Sequence, residues 1–176
     1  GEFKKAYPGI KMIIDQGSDA EIVKSVEDRR NELVVVWPGP NTGRMKIRVI
    51  GKEELVLIAA ANSSIVPGVE LSVQALSEIP LVLKKEGSAT REVVLEYLRK
   101  FRVHPHVASE SANTAVIKEM VRQDSGVAFV KRDAVADQVS DGSLKIVRIL
   151  EGSPMIEVGI GYRNRRELSP AAWAFL

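Results

Sequence analysis

The stretch Leu81-Val-Leu-Lys-Lys-Glu-Gly-Ser-Ala-Thr-Arg91 contains the pattern that decides the fold. It begins with a short continuous apolar run, passes through a turn with a glycine and two hydroxyls, and leads into a segment with helical spacing. A continuous apolar run of this length is typical of a strand that is buried on both faces, as in a parallel sheet. The stretch therefore predicts strand, turn and helix, the repeating unit of an α/β fold.

The same alternation continues along the chain. The apolar runs that predict strands are Met12–Ile14, Leu33–Trp37, Leu55–Ala61, Leu81–Leu83 and Val127–Val130. The segments whose apolar spacing predicts helices are Asp19–Arg30, Arg91–Phe101 and Ser111–Gln123, and Ser169-Pro170 predicts a further helix over 170–176. Gly126 is the candidate for the residue that ends the third helix. Together these elements predict an α/β fold with a mainly parallel sheet.

Two passages break the alternation. Met45–Ala61 has the pattern of a strand, a turn at Gly51-Lys52 and a second strand with no helix between them, and Ser143–Tyr162 is similar. Such passages flank a middle block of roughly 100 residues, as expected where a chain leaves one lobe and later returns. They predict two lobes joined by two crossover strands, a geometry that suits a ligand cleft and hinge closure.

Composition excludes several classes of function. The 176 residues include no cysteine, which removes thiol catalysis, disulfides and thiolate metal sites. Lys and Arg number 25 against 23 Asp and Glu, and no basic stripe interleaved with aromatics is present, so nucleic-acid binding by this segment is not favoured. No apolar run reaches the ~18 residues of a membrane helix. The absence of cysteine fits a reducing cytoplasm, which is the expected location. Residues 1–10 lack the pattern of a secretory leader, as would a mature chain whose leader had been removed.

The usual signatures of enzymes and cofactor sites are also missing. The two histidines, in His104-Pro-His106, have no nearby carboxylate and are expected in a surface loop rather than on a metal. No Gly-x-Ser-x-Gly elbow and no dinucleotide-binding glycine motif occur, and the glycine-rich segment 38–43 lacks the Lys-Ser/Thr of a phosphate loop. The sequence thus predicts no catalytic residues, no metal and no cofactor.

The most informative features are two strand-to-helix junctions, Asp15-Gln-Gly-Ser18 and Lys84–Arg91, with Glu110–Thr114 as a third candidate. In a parallel sheet such junctions lie at the carboxyl ends of strands, where open α/β folds bind ligands. Free amides at a helix N-terminus favour anions. Plain helix capping is the alternative, and Ser18-Asp-Ala-Glu21 has the pattern of a capping box. Both interpretations stay open at this point.

The order of several short motifs resembles one known family. These motifs are Tyr7-Pro-Gly-Ile10, Ile14-Asp-Gln-Gly-Ser18 with Ile22-Val23, Asn31-Glu-Leu-Val-Val-Val36, Glu54-Leu-Val-Leu-Ile58, Glu86-Gly-Ser-Ala-Thr-Arg91, Ser125-Gly-Val-Ala-Phe129 and Leu168-Ser-Pro-Ala-Ala172. Each motif is weak by itself, but their order and spacing extend over nearly the whole chain. The chain resembles the effector-binding domain of LysR-type transcriptional regulators.

The resemblance implies a fold with two Rossmann-like lobes joined by two crossover strands, like that of type 2 periplasmic binding proteins. It places residues 1–57 and 161–176 in lobe I and residues 58–160 in lobe II. Effectors in this family bind between the lobes, at helix N-termini and hydroxyls. Carried over by position, the implied effector-binding residues are Gly17, Ser18, Ser88, Ala89, Thr90, Arg91 and Asn113.

The resemblance also implies a small-molecule effector, with anions as one candidate class, and a homodimer that becomes a tetramer in the full-length regulator. The family's DNA-binding domain has no counterpart in these residues, and neither does the strand that opens its effector domain. DNA contact is therefore expected only through the part not present. A solute-binding protein of a transport system is the main alternative, and an enzyme on the same scaffold is a more distant one.

Overall fold

The computed structural model describes residues 2–39 and 42–176. The glycine-rich segment 38–43 is therefore covered only in part, because residues 40 and 41 lie outside the described residues. The chain divides into two compact units, residues 1–51 with 157–176 (the first unit) and residues 52–156 (the second unit). The lobe boundaries expected from the sequence, after residues 57 and 160, stay a prediction.

The first unit packs a helix against a small group of strands. Its elements, numbered in chain order over both units, are α1 (Glu2–Ala6), α2 (Asp19–Glu27), β1 (Val34–Val36), the start of β2 (Lys46–Ala60), the end of β8 (Met155–Tyr162), a 3-10 turn (Arg165–Glu167) and α6 (Pro170–Phe175). Strand β1 runs antiparallel to β8, with Val35 opposite Ile160. Val26 on α2 packs with Val34 and Val36 in the core of this unit.

The second unit contains the remaining elements. They are the end of β2, β3 (Glu70–Leu71), β4 (Leu81–Lys84), α3 (Ala89–Lys100), β5 (Val107–Ser111), α4 (Thr114–Arg122), β6 (Ala128–Lys131), α5 (Ala136–Ser140), β7 (Leu144–Ile149) and the start of β8, with 3-10 turns at Val73–Ser77 and Arg132–Val135. None of the helices in the described part of the chain is long and apolar enough to cross a membrane.

The end of β2 forms the centre of the second unit. Its last six residues, Leu55 to Ala60, are all buried. Both edges of this segment are paired, since Leu57 lies opposite Phe129 of antiparallel β6 and opposite Val147 of antiparallel β7. The core that surrounds it consists of Val56, Ile58, Val82, Ile117, Val121, Ala128, Val130, Val135 and Leu144. These side chains join the sheet to α4, so burial of an apolar run on both faces organises this unit.

The strand directions correct one expectation. Parallel pairing occurs between β4 and β5 and between β3 and β7, whereas β2 pairs antiparallel with β6 and β7. The sheets are therefore mixed rather than mainly parallel. The helix between β4 and β5 supplies the long crossover that a parallel pair needs, whereas β2 has antiparallel neighbours on both edges, and sheets that mix the two directions are common.

The predicted strand at Met12–Ile14 is wrong, because this segment has no regular structure. The side chains of Ile13 and Ile14 are 76% and 84% exposed. An extended segment becomes a strand only when a neighbour accepts its ladder hydrogen bonds, and no strand in the described part of the chain pairs with these residues. Apolarity alone therefore predicted the wrong local structure here.

The turn predicted at Gly51-Lys52 is also wrong. Strand β2 continues through both residues without a break. Glycine weakens a strand but does not forbid one, and no atom lies within 4 Å of the place where a Cβ on Gly51 would sit. The predicted helices, in contrast, are confirmed within three residues at each end, and Ser169 caps α6 as expected.

The residue that ends α4 is not the predicted one. Asp124, not Gly126, takes the left-handed backbone conformation that stops the helix, with φ of 55°. Its amide donates to Val121 O at 2.9 Å, and the next amide, of Ser125, donates to Met120 O at 3.1 Å. Aspartate tolerates this conformation better than most residues because its short polar side chain bonds locally.

Hydrogen bonds to the Asp124 carboxylate hold the loop that follows β2. It accepts the hydroxyl of Ser63, and it accepts the amide and the hydroxyl of Ser64 at 2.8 and 2.7 Å. The Ser63 hydroxyl accepts in turn from the amide of Val66 at 3.0 Å. The hydrogen bond from the Ser63 hydroxyl is the largest of the causes that lower the pKa of Asp124 below its ordinary value of 3.8.

We expect Gly126→Ala to destabilise the chain by about 2–5 kcal/mol, since a Cβ there would lie 2.5 Å from the carbonyl oxygen of Pro80 and φ is +148°. Gly142→Ala is the matched control, because Gly142 also has a positive φ, of +73°, but nothing lies within 4 Å. We expect that control to cost about 1–2 kcal/mol, for backbone strain alone. Urea denaturation measures both, and equal losses would contradict the close contact with Pro80.

The lowered pKa of Asp124 makes the stability of the chain depend on pH. A carboxyl group whose pKa is lowered by folding stabilises the chain above its unfolded pKa, and this contribution is lost as the pH falls through the folded pKa. We expect Asp124→Asn to be less stable than the wild type at pH 7 and the gap to narrow as the pH falls below the ordinary carboxyl pKa of 3.8 and through the lowered pKa of the folded state. Asp133→Asn, at an exposed position, serves as the control in urea denaturation at several pH values. A gap for Asp124→Asn that does not change with pH would contradict the role of the carboxylate.

Candidate functional site

The parallel pair of β4 and β5 brings two strand-to-helix loops to one edge of the second unit. Lys84, the last residue of β4, lies opposite Ser111, the last residue of β5. Each strand is followed by a short loop and a helix, which begins at Ala89 in α3 and at Thr114 in α4. Because the carboxyl ends of adjacent parallel strands face the same way, the predicted residues Ser88, Ala89, Thr90, Arg91 and Asn113 lie around one sheet edge.

Hydrogen bonds tie the two loops together. The Lys84 ammonium donates to Ala112 O at 2.7 Å, and the Lys85 amide donates to Ser111 O at 3.2 Å. Arg91 donates from one Nη atom to Lys84 O at 2.8 Å and to a carboxylate oxygen of Glu110 at 2.6 Å. The Arg91 side chain is only 13% exposed. This guanidinium therefore joins the start of α3 to the ends of both strands.

The hydroxyl of Ser88 is not used for capping. Ser88 occupies the N-cap position of α3, but its side chain makes no cap hydrogen bond. Gly87, with φ of +84°, allows the tight turn just before it. Both Ser88 and Thr90 are half-buried. The edge thus offers two hydroxyls at the N-terminus of a 12-residue helix, where the backbone dipoles favour negative charge.

Asn113 has a partner within its own helix. Its side-chain oxygen accepts the amide of Ala115 at 2.8 Å and so caps α4. The Ser111 hydroxyl accepts the Asn113 amide at 3.1 Å and fixes the turn before the helix. Lys84 and Ser111 lie within the candidate junctions Lys84–Arg91 and Glu110–Thr114, but neither is among the predicted effector-binding residues, because no local pattern reveals a partner on the neighbouring strand.

Gly17 and Ser18 lie in the first unit, at the start of α2, and form the predicted capping box. The Ser18 amide and hydroxyl each donate to the Glu21 carboxylate at 2.8 Å, and the Glu21 amide donates back to the Ser18 hydroxyl at 3.4 Å. The hydrogen bond from the Ser18 backbone is the main cause that lowers the pKa of Glu21. A carboxylate of the chain itself therefore already occupies the donors that an anion would use here. A Cβ on Gly17 would crowd this carboxylate at 3.2 Å.

The histidines behave as expected from the sequence, since His104 and His106 are both exposed. Among the described residues, no group of three or more His, Asp or Glu side chains is arranged to hold a metal ion.

Comparison with known proteins gives the family. The model described as "LysR substrate binding domain" matches residues 1–176. The HTH-type transcriptional activator CmpR of Synechocystis sp. is 27% identical over 177 residues, which cover 100% of this chain and 58% of the relative. The chain thus spans less than two thirds of that relative's length.

Two solved structures share the fold. The regulatory domain of CcmR from Synechocystis PCC6803, in complex with 2-PG, has a TM-score of 0.85 at 20% identity, covering 99% of this chain and 84% of that one. The effector-binding domain of QuiR, in complex with shikimate, has a TM-score of 0.87 at 16% identity, covering 99% and 83%. The predicted α/β fold of the type 2 periplasmic-binding-protein kind is confirmed by this likeness.

The motif order, the fold and the whole-length match agree, and the chain belongs to the LysR substrate-binding domain family.

Proposed function

We propose that this chain is the effector-sensing domain of a bacterial LysR-type transcriptional regulator. In this proposal it binds a small molecule and thereby controls the DNA binding of a full-length protein. Relatives that match over the whole chain include the transcriptional activator CmpR, and two structural neighbours were solved with the small molecules 2-PG and shikimate. We infer that the present chain likewise binds a small molecule.

The main support for this proposal is that the Ser88 hydroxyl makes no capping hydrogen bond. A serine at an N-cap normally accepts an amide of the first helical turn, and Ser88 does not. Thr90 adds a second hydroxyl within the same turn. We propose that these two hydroxyls, with the backbone of Ala89 and the side chain of Asn113, bind the polar or anionic group of the effector.

Arg91 has a second task in this proposal, besides the effector contact expected from the resemblance. Its bonds to Lys84 O and to Glu110 connect the turn that carries Ser88 to both strands. A ligand that shifts this turn therefore acts on the ends of β4 and β5 as well. Gly17 and Ser18 stay predicted contacts, although the capping box already uses the Ser18 hydroxyl.

The proposed mechanism is a population shift. An effector changes the balance between two conformations only to the extent that it binds one of them more tightly. We propose that the bound conformation repositions the DNA-binding part of the full-length regulator. We further propose that the domain acts in the cytoplasm as a homodimer, in a tetrameric regulator, with no catalytic role of its own.

The binding proposal predicts a ligand-dependent rise in melting temperature. In a thermal-shift panel of small carboxylates and phosphate esters that includes 2-PG and shikimate, we expect at least one compound to stabilise the chain. At 100 times its Kd the gain is about 2.7 kcal/mol, or roughly 5–10 °C for a domain of this size. Ser88→Ala with Thr90→Val is expected to weaken the response by about tenfold or more in Kd, since hydrogen bonds are lost.

Ser77→Ala is the matched control for that panel. The Ser77 hydroxyl donates to Gln74 O within its own 3-10 turn, so its loss leaves the proposed contacts intact. An unchanged response in the Ser88 and Thr90 variant, or an equal loss in the control, would exclude this placement of the effector.

The two N-cap serines provide a separate prediction about stability. Ser18→Ala removes a complete capping box and is expected to lower the free energy of unfolding by about 1 kcal/mol. Ser88→Ala removes no cap hydrogen bond and is expected to change that free energy by less than about 0.5 kcal/mol. Urea denaturation of both variants without ligand tests the difference, and a larger loss for Ser88→Ala would show that its hydroxyl serves the helix instead.

A further inference from the structure

The first unit contains a cavity that the proposed function does not use. Its volume is about 350 Å³, within the range of small-molecule pockets, and residues of 26–32 and 163–168 line it. The sequence shows a short basic group in each of these segments, Arg29-Arg30 and Arg163 with Arg165 and Arg166. Folding brings the two groups to one cavity, where Arg29 and Arg163 are part of the lining.

Two guanidiniums share one carboxylate at the cavity. Arg29 Nε and Arg163 Nη1 both lie 3.5 Å from the same oxygen of the Glu167 carboxylate. Both distances are longer than a charge-assisted hydrogen bond of about 2.7–2.9 Å. One carboxylate thus faces two guanidiniums, each of which has five N–H donors. The donors of the two guanidiniums therefore exceed what the Glu167 carboxylate can accept.

Glu32, the second acidic residue of the lining, brings the formal charge of the lining to two positive and two negative groups, but its oxygens are used elsewhere. The two carboxylate oxygens of Glu32 accept the amide and the hydroxyl of Ser169, at 2.6 and 3.1 Å. They hold the start of α6 rather than a guanidinium. Asn164 uses its side-chain oxygen to accept the Arg166 amide at 3.2 Å, so its amide nitrogen remains as a donor at the lining.

The backbone keeps Arg29 in place at the rim. Arg29 has a φ of 59°, which is uncommon for a residue other than glycine. The amides of Arg30 and Asn31 both donate to Ser25 O, at 2.8 and 3.0 Å, and so hold the turn in this form. Ser25 O accepts two amides in this way and Val26 O accepts the Arg29 amide at 3.1 Å, so these carbonyls do not repel an anion as open acceptors would.

We propose that this cavity binds a small anion, a carboxylate or phosphate group on a short body, as a second site that goes beyond the proposed effector function. The group would take the unpaired donors of Arg29, Arg163 and Asn164, and the body would rest against the half-buried Leu168 of the lining. The two guanidiniums supply the charge and the directional donors that carboxylate and phosphate prefer.

Inorganic phosphate titrated into the 15N-labelled chain at constant ionic strength tests the proposal. We expect saturable shifts of the backbone amides of Asn31, Asn164 and Leu168. Arg163→Gln is expected to raise the Kd by about tenfold. Glu167→Gln is expected to lower the Kd several-fold, because it removes the carboxylate that competes for both guanidiniums. Effects of opposite sign distinguish binding at this cavity from a general loss of structure.

Matched variants remove the same charge outside the lining. Arg166→Gln is the control for Arg163→Gln, and Arg30→Gln is the control for Arg29→Asn, in which asparagine suits the left-handed backbone. Neither Arg30 nor Arg166 lines the cavity, so both controls are expected to keep the phosphate shifts. Equal losses in variants and controls would mean diffuse surface attraction, and shifts confined to residues 86–91 would place phosphate at the effector site. Either result, or the absence of saturation, would overturn the proposal.

Discussion

Burial of the end of β2 on both faces is the constraint on which the second unit depends. Six consecutive side chains from Leu55 to Ala60 leave solvent, and full burial of a large aliphatic side chain contributes about 1.5–3 kcal/mol. A strand buried in this way needs a hydrogen-bonding neighbour on each edge, and β6 and β7 provide them. The helices then cover the faces, with Ile117 and Val121 of α4 in the same core. The loops around Ser88 and Asn113 follow from this packing, because β4 and α4 belong to it.

The sequence predicts such burial well but does not reveal strand partners. The runs that became β1, β2, β4 and β6 are apolar and find neighbours, whereas Met12–Ile14 is equally apolar and remains exposed. The difference is a pairing partner, which no local pattern contains. The position of Asp124 shows the same limit, because its left-handed backbone is supported by Ser63 and Ser64 from a distant loop. Helix bounds, which depend mainly on local capping, were predicted more closely.

The candidate site shows how far a local sequence motif predicts the role of a side chain. Ser18 and Ser88 both precede helices and follow a glycine, and both were predicted as effector contacts, although only Ser18 has the sequence of a capping box. Three residues after Ser18 stands Glu21, which completes a capping box, whereas three residues after Ser88 stands Arg91, which has no acceptor to offer an N-terminal amide. That difference decides whether a carboxylate returns to the N-cap amide, but not whether the serine hydroxyl caps, since Ser169 caps α6 with Ala172 at the same position. The residue at this position was visible in the sequence, but the partners of Arg91 on β4 and β5 were not.

Arginines in the two units have opposite roles for a reason that depends on carboxylate geometry. Arg91 meets Glu110 at 2.6 Å with its side chain 13% exposed, so its charge is matched and its task is to position a turn. Arg29 and Arg163, 69% and 45% exposed, share one Glu167 oxygen at 3.5 Å. A guanidinium that is fully paired gains little from a further anion, whereas two guanidiniums that share one distant carboxylate gain charge neutralisation and direct hydrogen bonds. The amino-acid composition does not distinguish these three arginines. Their distances to carboxylates do, and these distances separate an arginine that stabilises the fold from arginines that can bind a ligand.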